Sequence, residues 1–111
     1  MSDPAFFLAT YGTLAPGRAN AHQLDALSGE WSRGYVRGHL KEAGWGAQMG
    51  FPGLILDPSG PEVEVHLFHS TDLPDHWARL DSFEGQGYTR VAVSVATGAE
   101  VIRAYIYALA D

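Results

Sequence analysis

Residues 88–109 read YTRVAVSVATGAEVIRAYIYAL, and this stretch decides the fold class. Val91, Val93 and Val95 alternate with Arg90, Ala92 and Ser94, the two-residue period of a strand with one buried face. Thr97-Gly98 is a turn and Val101 to Leu109 returns, which predicts an antiparallel hairpin. Glu62 to His69 alternates in the same way, with Val63, Val65 and Leu67 on one side and Glu64, His66 and Phe68 on the other. Leu54-Ile55-Leu56 reads as a short strand closed by Asp57-Pro58-Ser59-Gly60. Tyr35 to Leu40, with Gly34 and Gly38, reads as a bent or bulged strand. Ala5 to Tyr11 is almost wholly apolar and stops at Gly12, as a buried strand does.

Helical spacing is confined to two segments. Asn20 to Leu27 places Leu24 and Leu27 on one face, with Asn20 as N-cap and Gly29 as the end. Asp72 to Phe83 has Asp72 as N-cap, Pro74 in the first turn, and Trp77 and Leu80 at helical spacing, with Gly85 and Gly87 stopping it. About six strands and two helices, without regular helical crossovers, predict an α+β domain. Its sheet should be small, curved and mostly antiparallel or mixed, open or closed into a barrel. The 111 residues and 46% hydrophobic content suit one domain, residues 1–111, with a single sizeable core.

Composition removes several function classes. The chain has no cysteine, which excludes thiol catalysis, disulfides and thiolate metal sites and fits a cytoplasmic protein. Seven Lys and Arg against 13 Asp and Glu give a formal charge of −6, which repels phosphate backbones. No apolar run approaches the roughly 20 residues that cross a bilayer. The start, Met1-Ser2-Asp3-Pro4, lacks the basic region of a signal peptide. Neither nucleic acid nor a membrane is therefore expected as a partner.

Familiar catalytic motifs are absent or incomplete. The five histidines follow no metal-ligand spacing, and His66 and His69 fall on opposite faces of their strand, so no metal is expected. No G-x-S-x-G elbow occurs. Gly44 to Gly50 misses the dinucleotide fingerprint by one residue of spacing. Gly12 to Ala19 has the setting of a phosphate loop, but Arg18 and Ala19 stand where Lys and Ser or Thr are needed. What survives is a glycine turn after a buried strand, whose backbone N–H groups suit an anion. A second anomaly is Glu84, a carboxylate where a helix ends and the macrodipole opposes it. A broken local rule of this kind points to function. Phe83 and Tyr88 beside it would desolvate it and favour proton transfer.

Two segments, taken together, resemble the gamma-glutamylcyclotransferase-like family, most closely its short branch with the gamma-glutamylamine cyclotransferases and their bacterial relatives. Tyr11-Gly12-Thr13-Leu14 matches that family's Y-G-[ST]-L loop. Leu80-Asp81-x-Phe83-Glu84-Gly85, then Tyr88-x-Arg90, matches its L-D-x-F-E-G-x-x-Y-x-R segment. Phe51-Pro52-Gly53-Leu54 and Ala104-Tyr105-Ile106-Tyr107 resemble its central and last-strand segments, in the right order. The chain departs at Val65-His66-Leu67, where relatives often read Gly-Glu-Leu.

The resemblance implies a small mixed β-barrel with flanking short helices. It also implies a cofactor-free cyclotransferase, of acyltransferase or amidine-lyase type, that releases 5-oxoproline from a small-molecule gamma-glutamyl substrate. Carried over by position, Glu84 would be the catalytic acid/base. Tyr11, Gly12, Thr13 and Leu14 would form the substrate loop, with Tyr88 and Tyr107 lining the pocket. The alternative is a non-catalytic carboxylate-binding domain that keeps the fold.

Overall fold

Strand β4 (Glu62–His69) is the centre from which the sheet is built. In the computed structural model, which describes residues 3–11, 24–42, 52–84 and 88–109 without the side chains of Lys41, Glu42, Pro52 and Glu84, β4 is paired on both edges. Strand β1 (Phe7–Thr10) lies antiparallel on one edge, from Phe7↔His69 to Thr10↔His66. Strand β2 (Glu30–Glu42) lies antiparallel on the other, from Glu30↔His69 to Arg37↔Glu62. Strands β5 (Tyr88–Ala96) and β6 (Val101–Leu109) form the expected hairpin, with Tyr88 opposite Leu109 and Ala96 opposite Val101. Its turn holds Gly98 at φ +89°, a conformation that suits glycine.

Strand β6 then joins β1 in parallel, Leu8 beside Tyr105. Strand β5 meets β2 at Tyr35↔Ala96, which closes five strands into a mixed barrel. Strand β3 (Pro52–Leu56) is the sixth and pairs with the far end of β2, Gly38↔Leu56 to Glu42↔Pro52. Closure depends on Gly34. A Cβ there would lie 2.5 Å from Val95 Cγ1 and 2.8 Å from the Ala96 carbonyl oxygen, so any larger residue would push β2 off β5.

Alternation sorts the side chains onto two sides of the barrel wall. Val36, Leu54, Val65, Val95 and Ile106 point inward and are fully buried or nearly so. Leu8, Phe68 and Tyr107 point outward and are covered by Leu24, Leu27, Leu73, Trp77 and Leu80. The last two sit on helix α1 (Trp77–Glu84), the one α-helix among the described residues.

Several expectations need correction. The first strand begins at Phe7, because Pro4–Phe6 is a 3-10 turn whose Ala5 N–H donates to Asp3 Oδ1 at 2.9 Å. Strand β2 is far longer than Tyr35 to Leu40 and carries no inserted residue along β4, so it is not bulged there. The helix expected over 72–83 is split into a 3-10 turn, Leu73–Asp75, and α1. Asp72 does not cap it: its backbone is helical, φ −82° and ψ −18°, whereas a capping residue needs an extended one. Its carboxylate instead accepts the Ser28 N–H at 2.9 Å. Ser70 Oγ donates to the Ser28 carbonyl at 2.6 Å and accepts the Asp72 N–H at 3.1 Å, so these residues tie the 24–29 segment to the start of the helical region. Of the helix expected over Asn20 to Leu27, residues 20–23 lie outside the described residues. Leu24 to Leu27 form a turn closed by the Leu27 N–H on the Leu24 carbonyl at 3.1 Å, with both leucines buried.

Candidate active site

Eight residues make a helix too short to hold itself in water, so tertiary contacts must fix α1. Its first turn is anchored by Trp77, which is buried and donates its indole N–H to the Ala5 carbonyl at 2.9 Å. Leu80 is fully buried one turn on. The last turn has a different anchor. Arg90 on β5 presents its guanidinium as a fork to Asp81, Nε to Oδ1 at 2.9 Å and Nη2 to Oδ2 at 3.2 Å. Tyr107, directly opposite Arg90 on β6, donates its hydroxyl to the same Oδ1 at 2.7 Å. The guanidinium also lies over two rings, 4.7 Å from the Trp77 centroid and 4.6 Å from that of Tyr105. Those two rings meet edge to face at 5.3 Å.

The network continues to the end of β1. The Tyr11 hydroxyl donates to the Tyr107 carbonyl at 2.6 Å and accepts the Leu54 N–H at 3.0 Å, tying the chain beyond β1 to both β6 and β3. Tyr107 is thus the joint of the site: its carbonyl receives Tyr11 and its hydroxyl holds Asp81, three residues before Glu84.

The expected site residues fall as follows. Tyr11 and Tyr107 are brought into contact, with both hydroxyls bonded to protein atoms. Tyr88 starts β5, half-buried against the outer hydrophobic cluster with Phe83. Glu84 is the last residue of α1, as the sequence pattern requires. Gly12, Thr13 and Leu14 lie outside the described residues, as do the glycine loop 44–50 and the Glu84 side chain. Val65 and Leu67 are barrel core, and His66 lies half-buried, 6.5 Å from the Trp31 ring. Among the described residues no three ligand-type side chains cluster, and no helix is long and apolar enough to cross a membrane.

The sequence pattern did not assign roles to Asp81, Arg90 or the Tyr11 hydroxyl. The i and i+9 spacing of Asp81 on a helix and Arg90 on the next strand was the available signal, but only the register Arg90↔Tyr107 turns it into a triad. Nor did it anticipate a separate cleft of about 510 Å³ along the seam of β2 and β5, lined by Tyr35, Leu56, Val93 and Arg103 among others. That cleft shares no residue with the network around Tyr107.

The fold recurs in known proteins. The chain has the fold of the AIG2-like proteins. An AIG2-like protein from Mus musculus superposes with a TM-score of 0.71 at 22% identity, over 94% of this chain and 76% of that one. YkqA from Bacillus subtilis gives a TM-score of 0.71 at 26% identity, over 93% of this chain and 35% of that one. A uropathogenic E. coli-specific protein gives 0.72 at 18% identity, over 96% and 80%. The family described as gamma-glutamyl cyclotransferase, AIG2-like, matches residues 8–111, and the chain belongs to it. No curated protein sequence matches the chain.

Proposed function

We propose that the protein is a cofactor-free cyclotransferase that folds a gamma-glutamyl compound onto itself and releases 5-oxoproline and a free amine. The α-amine of the substrate attacks its own γ-carbonyl carbon, a five-membered lactam closes, and the bond from that carbon to the departing nitrogen breaks. The α-amine is an ammonium group at neutral pH; it loses one proton before it attacks and a second as the lactam N–H forms, while the departing nitrogen gains one as its bond breaks and a second as it is released as an ammonium group. Glu84 serves both steps as general base and then general acid, so no proton is consumed overall. Because the attack is intramolecular, holding the substrate bent supplies a large share of the acceleration. The backbone of Tyr11 to Leu14 receives the substrate carboxylate, with Gly12 permitting close approach. Tyr88 and Tyr107 supply walls.

The observation that carries this reading is the joint at Tyr107. It links Tyr11, where the substrate loop begins, to the helix turn that ends at Glu84. Membership of the gamma-glutamyl cyclotransferase, AIG2-like family supports the reaction class. The lack of cysteine suits a cytoplasmic setting.

The test is incubation of the purified protein with gamma-glutamyl amino acids, peptides, polyamines and gamma-glutamyl-lysine, scored for 5-oxoproline. Release from at least one class is expected. No release from any, with a gamma-glutamyl compound still bound in calorimetry, would overturn the enzyme and leave a binding domain.

A further inference from the structure

Charge in the last turn of α1 is arranged against the helix. Asp81 and Glu84 are both acidic, neither is balanced by a base in that turn, and the macrodipole disfavours acids there. The positions are also i, i+3 neighbours, where like charges repel. The cation that balances Asp81 comes from outside the helix, from Arg90 on β5.

We infer that Asp81 is a positioning residue, clamped by Arg90 and Tyr107 so that the last turn of α1, and with it Glu84, is held in one place against the barrel. The inference rests on the cyclotransferase reading above. Three features of the clamp support it. First, the carboxylate takes three hydrogen bonds from two adjacent strands, which fixes its direction as well as its distance. Second, the Arg90 fork is itself oriented, because its guanidinium lies over both the Trp77 and Tyr105 rings. Third, the ion pair is partly open to solvent, with the side chains 25% and 43% exposed, so its loss does not leave a fully buried charge unpaired. Placed one turn before the proposed base, the clamp acts on that base's geometry as well as on the helix. Lost geometry is costly in catalysis: a displacement of about 1 Å can lower a rate about 10²-fold.

The experiment compares wild type, Asp81→Ala, Glu84→Gln and the double variant in 5-oxoproline release, with melting recorded on each preparation. Asp81→Ala is expected to lower kcat about 10- to 100-fold, with KM changing far less. In the Glu84→Gln background the same change should cost nothing further, because a residue that acts through Glu84 has no effect once Glu84 cannot accept a proton. A purely structural Asp81 would instead lower melting and leave kcat per folded molecule intact in both backgrounds.

Arg90→Lys, which keeps the charge and loses the fork, and Tyr107→Phe, which loses only the hydroxyl, should each give a smaller fall in kcat with the same silence in the Glu84→Gln background. These two carry the test if Asp81→Ala fails to fold. Unchanged kcat in the folded clamp variants, or losses that multiply with Glu84→Gln, would overturn the positioning role while leaving the cyclotransferase reading standing. A wild type without turnover, or a fully active Glu84→Gln, would overturn that reading and the inference with it.

Discussion

Ile106 and Tyr107 are neighbours on β6 and face opposite sides of it. Ile106 enters the inner cluster, whose buried members are all aliphatic, among them Val36, Leu54, Val65 and Val95. Tyr107 enters the outer cluster, which includes the aromatic residues Phe68 and Trp77 and has Phe83, Tyr88 and Tyr105 packed against it. Apolar packing has no direction, so the buried members of the inner cluster chiefly fix that the barrel closes, while Tyr11, packed against them, owes its exact place to the two hydrogen bonds of its hydroxyl. The outer cluster adds hydrogen-bonding atoms that each need a partner at a set place: the Trp77 indole finds the Ala5 carbonyl and the Tyr107 hydroxyl finds Asp81. One side of β6 therefore specifies stability, and the other specifies where the end of α1 lies.

The sharpest way to break this division is at the end of α1. Glu84→Gln should lower 5-oxoproline release by about 10²–10⁴-fold, the usual weight of general acid–base catalysis. Its melting temperature should hold or rise, because an acid at a helix C-terminus is removed. Full turnover would detach the chemistry from the outer side. The reverse pattern belongs to the inner side: Ile106→Ala empties a fully buried site and should cost roughly 2–5 kcal/mol in urea unfolding. Turnover per folded molecule should be unchanged, and a selective loss of kcat would show that the two sides are not separable.

Smaller effects sharpen the contrast. Gly34→Val should cost about 1–3 kcal/mol by overpacking, since its Cβ would fall 2.5 Å from Val95 Cγ1 at the seam. Unchanged stability in denaturant unfolding would show that the seam is looser than its geometry.

Smallest of all is Asp57, outside both clusters. The Ser59 N–H at 2.9 Å, and after it the His39 ring at 3.0 Å, holds its carboxyl below the usual carboxylate range. A carboxyl depressed in the folded state stabilises above its unfolded value of about 3.9 and loses that contribution as pH falls through the folded value. Asp57→Asn should therefore melt slightly lower than wild type at pH 5, and the gap should close towards pH 2. A gap that stays constant would remove the titration of Asp57 as its cause.

The strands were legible where one face is buried, because alternation with period two is written directly into β4, β5 and β6. The start of β2 was not: Glu30, Trp31, Ser32 and Arg33 are all exposed and show no apolar alternation, so only pairing with β4 makes them a strand. The break between Asp75 and Trp77 was hidden because helical spacing continues across it. Of the candidate site, the sequence marked Tyr11, Gly12, Thr13, Leu14, Glu84, Tyr88 and Tyr107 through its resemblance to an ordered motif set, yet it gave Asp81 and Arg90 no role.

The sequence alone determined the strand faces, the hairpin and the place of Glu84 at a helix end. These are local matters of side-chain period, turn chemistry and chain direction. Only the tertiary structure decided that β1 runs parallel to β6, that Gly34 lets β2 meet β5, and that Tyr11, Tyr107 and Asp81 form one connected path. Each of those depends on register between segments far apart in the chain, and register is set by how the whole core packs rather than by any segment's own residues.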